Sequence, residues 1–132
     1  MPFPVDKKYI DDTEKEFGLL FPQTFIDKMT IENGGELSTD YDDWQLIPFF
    51  DKSDKKRISR TCNHIGLETK NAQEWDSFPK DVVTIGQNGC GDFLVLKPNP
   101  TDNKKLLDTI FIWRHETGEL EKIADSIQDL FS

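Results

Sequence analysis

"TIGQNGCGDFLVL", residues 84–96, decides how the chain is read, because it sets three glycines, a cysteine and an aspartate between two apolar runs. A phosphate loop of the Walker type needs Lys followed by Ser or Thr after its last glycine, opening a helix. A dinucleotide fingerprint also needs a helix there, so that its first N–H groups aim at pyrophosphate. Here Gly91 is followed by Asp92 and a strand-like run, and an aspartate at that point repels phosphate. The stretch reads as a hairpin. Ile85 ends one strand, Asn88-Gly89 supplies the positive φ angles of the turn, and Phe93 starts the next strand.

Outward from this hairpin, "DVVTIG" (81–86), "DFLVL" (92–96) and "TIFIW" (109–113) are β-branched or aromatic runs bounded by turn residues. They are apolar at consecutive positions, which predicts a sheet covered at least partly on both faces. "WQLIPFF" (44–50) is a further strand candidate, with Pro48 suggesting an edge or a bulge. Before it, residues 6–17 carry Tyr9, Ile10, Thr13 and Phe17 at helical spacing, with Gly18 as the stop. Pro22 suits the first turn of a second helix with Phe25, Ile26 and Met29 as its apolar stripe, ended by Asn33-Gly34-Gly35. Residues 61–75 lean towards a helix that Pro79 breaks. From Glu119, the residues Leu120, Ile123, Ala124, Ile127, Leu130 and Phe131 follow the i, i+3, i+4, i+7 pattern and predict a closing helix. Residues 51–57 and 97–105, polar and rich in turn formers, are the expected flexible segments. No repeat or linker divides residues 1–132, so one domain is expected. Segregated helices and strands make it α+β, a mainly antiparallel sheet flanked by N-terminal helices and a C-terminal helix.

The chain carries a net charge of −9, unevenly spread. Residues 1–43 hold eleven acids against four bases, residues 44–80 five against seven, and residues 81–132 nine against five. Such a surface repels nucleic-acid backbones and speeds encounter with basic proteins, although acidity also serves solubility alone. No apolar run is long enough to span a membrane, and "MPFPVDKKYI" lacks the order of a secretory signal, so the expected location is the cytoplasm. Cys62 and Cys90 read as free thiols.

Candidate chemistry is sparse. Cys62, His64, Cys90 and His115 are four soft or borderline ligands without the paired spacing that zinc sites show. No G-x-S-x-G elbow occurs, and nothing in the spacing brings a thiol beside a histidine. His115-Glu116 lies where a strand meets a turn. No catalytic set, metal or cofactor is expected, and the chain reads as a non-enzyme. The densest acidic stretch is "GELSTDYDDW" (35–44), where Glu36, Asp40, Asp42 and Asp43 surround Tyr41 and Trp44. Acids around an aromatic anchor form a binding hot spot. Alternatively Trp44 faces the core and the acids are merely solvated.

"FGLLFPQTFIDKMTIENGGEL" (17–37) resembles the opening signature of the SMI1/KNR4 (SUKH) family, through Phe17, Gly18, Leu19, Pro22, Phe25, Asn33, Gly34 and Gly35. "IGQNGCGDFLVL" resembles its second signature, through Ile85, Gly86, Gly89, Gly91 and Asp92, and "IFIWRHE" its third, through Trp113 and His115. The three occur in the family's order over residues 6–131. The resemblance implies an α+β domain. For bacterial members it implies an immunity protein that binds and neutralises a cognate toxin domain, often a nuclease, of a polymorphic or contact-dependent system. Fungal members are longer signalling proteins with disordered flanks, so this compact chain is closer to the bacterial type. The alternative is a non-enzymatic regulatory or scaffold module that binds an endogenous protein. A nuclease must hold phosphates and is commonly basic, so the expected partner is a basic protein toxin, met by Glu36, Asp40, Tyr41, Asp42, Asp43 and Trp44.

Overall fold

The computed structural model describes residues 3–39 and 42–130. In chain order the elements are α1 (Lys7–Phe17), α2 (Gln23–Ile31), β1 (Gly35–Ser38), β2 (Asp43–Leu46), α3 (Lys55–Arg60), α4 (Ile65–Ala72), β3 (Val83–Gln87), β4 (Phe93–Leu96), β5 (Pro98–Asn99), β6 (Asp102–Leu106), β7 (Ile110–Trp113), β8 (Leu120–Ala124) and a 3-10 turn at Ile127–Leu130. Six strands form one antiparallel sheet in the order β1-β2-β3-β4-β7-β8, and β5 pairs with β6 as a separate hairpin. This is the expected α+β architecture with an antiparallel sheet.

The consecutive apolar runs are explained by two cores on opposite sides of the sheet. Leu94, Leu96, Ile110 and Ile112 point into the main core, where Ile10, Phe25 and Met29 of α1 and α2 cover them. Val95, Phe111 and Trp113, at the alternate positions of the same strands, point the other way and meet the cluster of Ala72, Phe78 and Val82. Alternation therefore persists, but both phases are buried. Phe21, Phe25 and Phe49 close the main core with Phe21 stacked on Phe25 and Phe49 edge-on to one and tilted to the other, with centroids 5.0–5.8 Å apart.

The helix ends follow their residue chemistry. Asp6 caps α1 by accepting the Lys8 N–H, and Gly18 ends it in the left-handed region at φ 68°. Pro22 stands one position earlier than expected, as the N-cap of α2, where its carbonyl accepts from the N–H groups of Phe25 and Ile26. Lys28 Nζ donates to the carbonyls of Glu32 and Gly34 after α2. Partial burial lowers its pKa to about 8, against the raising effect of Glu32. Asn33 then joins the helix turn to the chain after β2. Its amide donates to the Phe49 carbonyl and accepts from the Phe49 N–H, both at 2.9 Å and both buried. The helix expected within residues 61–75 is present as α4.

Four local expectations are corrected. Among the described residues the closing helix is absent: Leu120–Ala124 is a strand paired with β7, from Trp113↔Leu120 to Ile110↔Ala124, followed by the 3-10 turn. Phe131, also counted in that helix, lies outside the described residues. The physical reason is the free edge of β7, whose backbone groups need partners. Gly118, at φ 74°, turns the chain back, and Gly118 N–H donates to the Arg114 carbonyl. The same apolar side chains serve the strand, since Leu120 packs on the second core and Ile123 and Ala124 on the first.

Residues 51–57, expected to be flexible, enter α3. Asp51 Oδ1 accepts from Ser53 N–H and Asp54 caps the helix by accepting from Arg57 N–H. Residues 97–105 form most of the β5–β6 hairpin, anchored where Leu20 N–H donates to the Lys104 carbonyl and Leu106 N–H to that of Leu20, each at 2.8 Å.

Finally, β3 runs on through Gln87, two residues past its expected end at Ile85, so the connection to β4 is confined to residues 88–92. Gly89 and Gly91 carry the positive φ angles there (79° and 100°), and no non-glycine among the described residues does, Asn88 included. Gly86, within β3, faces Leu94 so closely that a Cβ would lie 3.0 Å from a Leu94 methyl.

Candidate partner-binding face

Register places the acidic residues of the first hairpin. Across the β1–β2 ladder Leu37 opposes Trp44 and Gly35 opposes Leu46, and Leu37, Trp44 and Leu46 are buried. The other phase pairs Glu36 with Gln45 and Ser38 with Asp43, all exposed, and Gln45 is followed across β2–β3 by Gln87. The outer side of β1, β2 and the end of β3 is thus a polar shelf over a shallow recess of about 520 Å³. Glu36 and Asp43 are its carboxylates, and Asp43 accepts a 2.7 Å hydrogen bond from the Ser38 hydroxyl.

The other members of the expected site are distributed differently. Trp44 is 1% exposed, and its indole N–H donates to the Thr39 hydroxyl at 3.1 Å. Its role as a surface anchor is corrected: it is a core residue that shapes the hairpin from within. A large ring at an inward ladder position gains more by burial than by exposure. Asp42 is half-buried and neutralised by Arg114, whose guanidinium lies 3.3 Å from its Oδ2. Asp40 and Tyr41 lie outside the described residues.

Sequence reasoning missed the hub beside this shelf. Arg114, leaving β7, bridges Asp42 at 3.3 Å and Asp92 at 3.2 Å and reaches towards Glu121 at 3.8 Å. Asp92, nearly buried at the start of β4, accepts from His115 N–H at 3.0 Å and lies 2.7 Å from His115 Nδ1. Asn88 donates its amide to both Asp42 and Asp92, while its Oδ1 accepts from the N–H groups of Cys90 and Asp92. Asn88 therefore caps the glycine turn, and Asp92 ties it to the end of β7. Burial would raise the Asp92 carboxyl, but the hydrogen bonds from His115, Asn88 and Arg114 outweigh it and hold the carboxyl below its ordinary range. Gly91 is needed for the approach. A Cβ there would lie 3.1 Å from the His115 ring, and its φ of 100° disfavours any other residue. One signal pointed to the hub: Trp113 turned inward requires Arg114 to turn outward at the sheet end.

The polar groups of this arrangement pair with one another. An Asp–His pair is the orienting half of a nucleophilic triad, but no hydroxyl or thiol is hydrogen-bonded to the His115 ring among the described residues. The ring instead meets the edge of Trp75, with centroids 6.2 Å apart. Both cysteines are exposed free thiols. His64 is occupied at the start of α4, where its Nδ1 accepts from Leu67 N–H and its ring stacks on Phe50 at 4.6 Å. Among the described residues no group of three or more His, Cys, Asp or Glu side chains is placed to hold a metal. No helix among them is long and apolar enough to cross a membrane.

Comparison with known families gives one match: the model of the SMI1 / KNR4 family (SUKH-1) covers residues 4–132. No curated protein matches the chain.

Proposed function

The chain belongs to the SMI1/KNR4 (SUKH-1) family, and from that premise we propose that it is an immunity protein, a non-enzymatic binder that neutralises a cognate basic toxin domain. The observation that carries this reading is the polar shelf of Glu36 and Asp43 on a domain of net charge −9, beside a hydrogen-bonded hub that fixes its shape. Exposed carboxylates steer a basic partner into contact and raise its association rate. A nuclease cleft, lined to hold phosphate, is a surface of the complementary sign. A rigid inhibitor loses little conformational entropy on binding, and the Asn88–Asp92–Arg114–Asp42 links tie Asp42, at the start of β2, to the β3–β4 turn.

The site is accordingly Glu36 and Asp43. Asp42 acts through Arg114 by holding the turn, and Trp44 acts by supporting the ladder from inside. Occlusion requires no turnover, consistent with a hub whose polar groups are mutually paired.

Co-expression with a toxin domain encoded beside this chain tests the reading. Rescue of growth and co-purification of the two proteins are expected. Failure of both, with the chain well folded, would favour a regulatory or scaffold module that binds an endogenous protein.

A further inference from the structure

The ladder register carries one row of side chains across the six-stranded sheet. Glu36 pairs with Gln45, Gln45 with Gln87, Gln87 with Phe93, Phe93 with Trp113 and Trp113 with Leu120. Residues paired across a ladder share a face. The polar shelf and the second core therefore lie on the same side of the sheet. Strands run about 4.8 Å apart, so the row spans roughly 19 Å from Glu36 to Trp113, within the footprint of a single protein partner.

Trp75 stands at the aromatic end of this row, in the turn after α4. It is 46% exposed, whereas Trp44 and Trp113 are buried. Its ring is steeply inclined to those of Trp113 and His115, with centroids 5.9 and 6.2 Å away. Its backbone is fixed on both sides: its N–H donates to the Ala72 carbonyl at 3.0 Å, and its carbonyl accepts from Phe78 N–H at 3.1 Å. Gly118 lies so close to the same turn that a Cβ there would be 2.9 Å from Ser77 Cβ. Exposed apolar side chains scattered singly need no explanation. A tryptophan braced by two rings and still nearly half exposed offers a large contact area at little conformational cost.

The segments around the ring are acidic. Residues 73–81 and 114–119 hold Glu74, Asp76, Asp81, Glu116 and Glu119 against Lys80 and Arg114. Arg114 is already shared between Asp42 and Asp92, and Lys80 Nζ donates to the Gln73 carbonyl. We propose that Trp75 is the aromatic anchor for a basic partner segment, which stacks an arginine guanidinium on the indole and runs on along the row towards Glu36. An exposed ring among carboxylates selects a cation over an apolar side chain. A guanidinium is planar and weakly hydrated, so it stacks better than an ammonium. The anchor rests on the toxin reading for the partner's identity, while the site for a basic segment is tested without a toxin.

Titration of ¹⁵N-labelled full-length protein with hexaarginine and hexalysine at low salt, following the indole N–H resonances, tests the anchor. A saturable shift at Trp75, larger than those at Trp44 and Trp113, is expected, with hexaarginine binding more tightly than hexalysine. Trp75→Leu keeps apolar cover over Trp113 but removes the ring. It should weaken hexaarginine binding roughly two- to fivefold, the effect of one exposed cation–π contact, and Trp75→Phe should weaken it less. An unmoved Trp75 indole, wild-type affinity in Trp75→Leu, or hexalysine equal to hexaarginine would overturn the arginine anchor. Trp75 shifts driven by protein concentration alone would give the face to a second copy and overturn the basic occupant. With the cognate toxin domain, Trp75→Leu should speed dissociation. A complex indifferent to Trp75→Leu would overturn the anchor and leave the immunity reading standing. Hexaarginine binding at Trp75 without any toxin complex would remove that reading and support the site for a basic segment.

Discussion

Asp92 holds His115 twice: one carboxylate oxygen accepts the His115 backbone N–H at 3.0 Å and lies 2.7 Å from its Nδ1. An ionised carboxylate only accepts, so Nδ1 carries the proton in this contact. With Arg114 on its second oxygen, Asp92 fastens the β3–β4 turn to the end of β7. Asp92→Ala removes these bonds and leaves the Arg114 charge less compensated. The expected loss is about 2–3 kcal/mol of unfolding free energy, the scale of charge-assisted hydrogen bonds, read by urea denaturation. The pH dependence has a definite sign. The folded carboxyl titrates below its ordinary 3.8, so its contribution is complete above that pH and is lost as pH falls through the lower folded value. Asp92→Asn should flatten that part of the acid-stability curve.

Asn33 and Phe49 exchange two buried hydrogen bonds that tie the α2–β1 junction to the chain after β2. Asn33→Ala would strand the Phe49 N–H and C=O in the core and should cost about 2–4 kcal/mol, since two buried groups lose their partners. Asn33→Asp keeps the acceptor but loses the donor and should fall between Ala and wild type. Thermal unfolding of the three proteins checks the order.

His64 gives a second pH signature, closer to neutrality. Its pKa is depressed from 6.5, chiefly because burial disfavours the charged ring, against a smaller raising effect of Glu16. Its Nδ1 must be unprotonated to accept from Leu67 N–H. Stability linked to this cap is therefore complete above pH 6.5 and declines as pH falls through the lower folded pKa. His64→Asn, a cap with no titration in this range, should lose that dependence. Chemical denaturation between pH 7.5 and 5 measures it.

Trp44 separates core from contact. It is 1% exposed, and Trp44→Ala should cost about 3–5 kcal/mol, the range for truncating a buried aromatic. Partner binding by any fraction that remains folded should be unchanged, since the ring has no outward surface to offer. Circular dichroism melting and a binding assay on the same sample distinguish the two effects.

The sheet was legible because its central strands are apolar in both phases: Leu94 and Val95 each found a core, so a two-sided burial pattern appears directly in the letters. The tail was not legible, because Leu120, Ile123, Ala124 and Ile127 satisfy a helical period and a strand-plus-turn equally well. The deciding factor, the unpaired edge of β7, lies outside that segment. The acidic stretch was visible as composition, but its division into outward Glu36 and Asp43, inward Trp44 and Arg114-bound Asp42 depends on ladder register and on a partner 72 residues away. The exposed Trp75 was hidden for a similar reason, since its contacts with Trp113 and His115 form only after the chain has folded back.

The association rate with the cognate toxin domain, measured against ionic strength, tests the central claim most directly. If the chain neutralises a basic partner through its polar shelf, wild type should form a stoichiometric complex whose association slows as salt rises. Glu36→Lys with Asp43→Lys, both at exposed positions, should cut the low-salt rate by roughly tenfold or more while the fold is kept. Unaltered association in that double variant, or no complex at all between the folded proteins, would contradict the account.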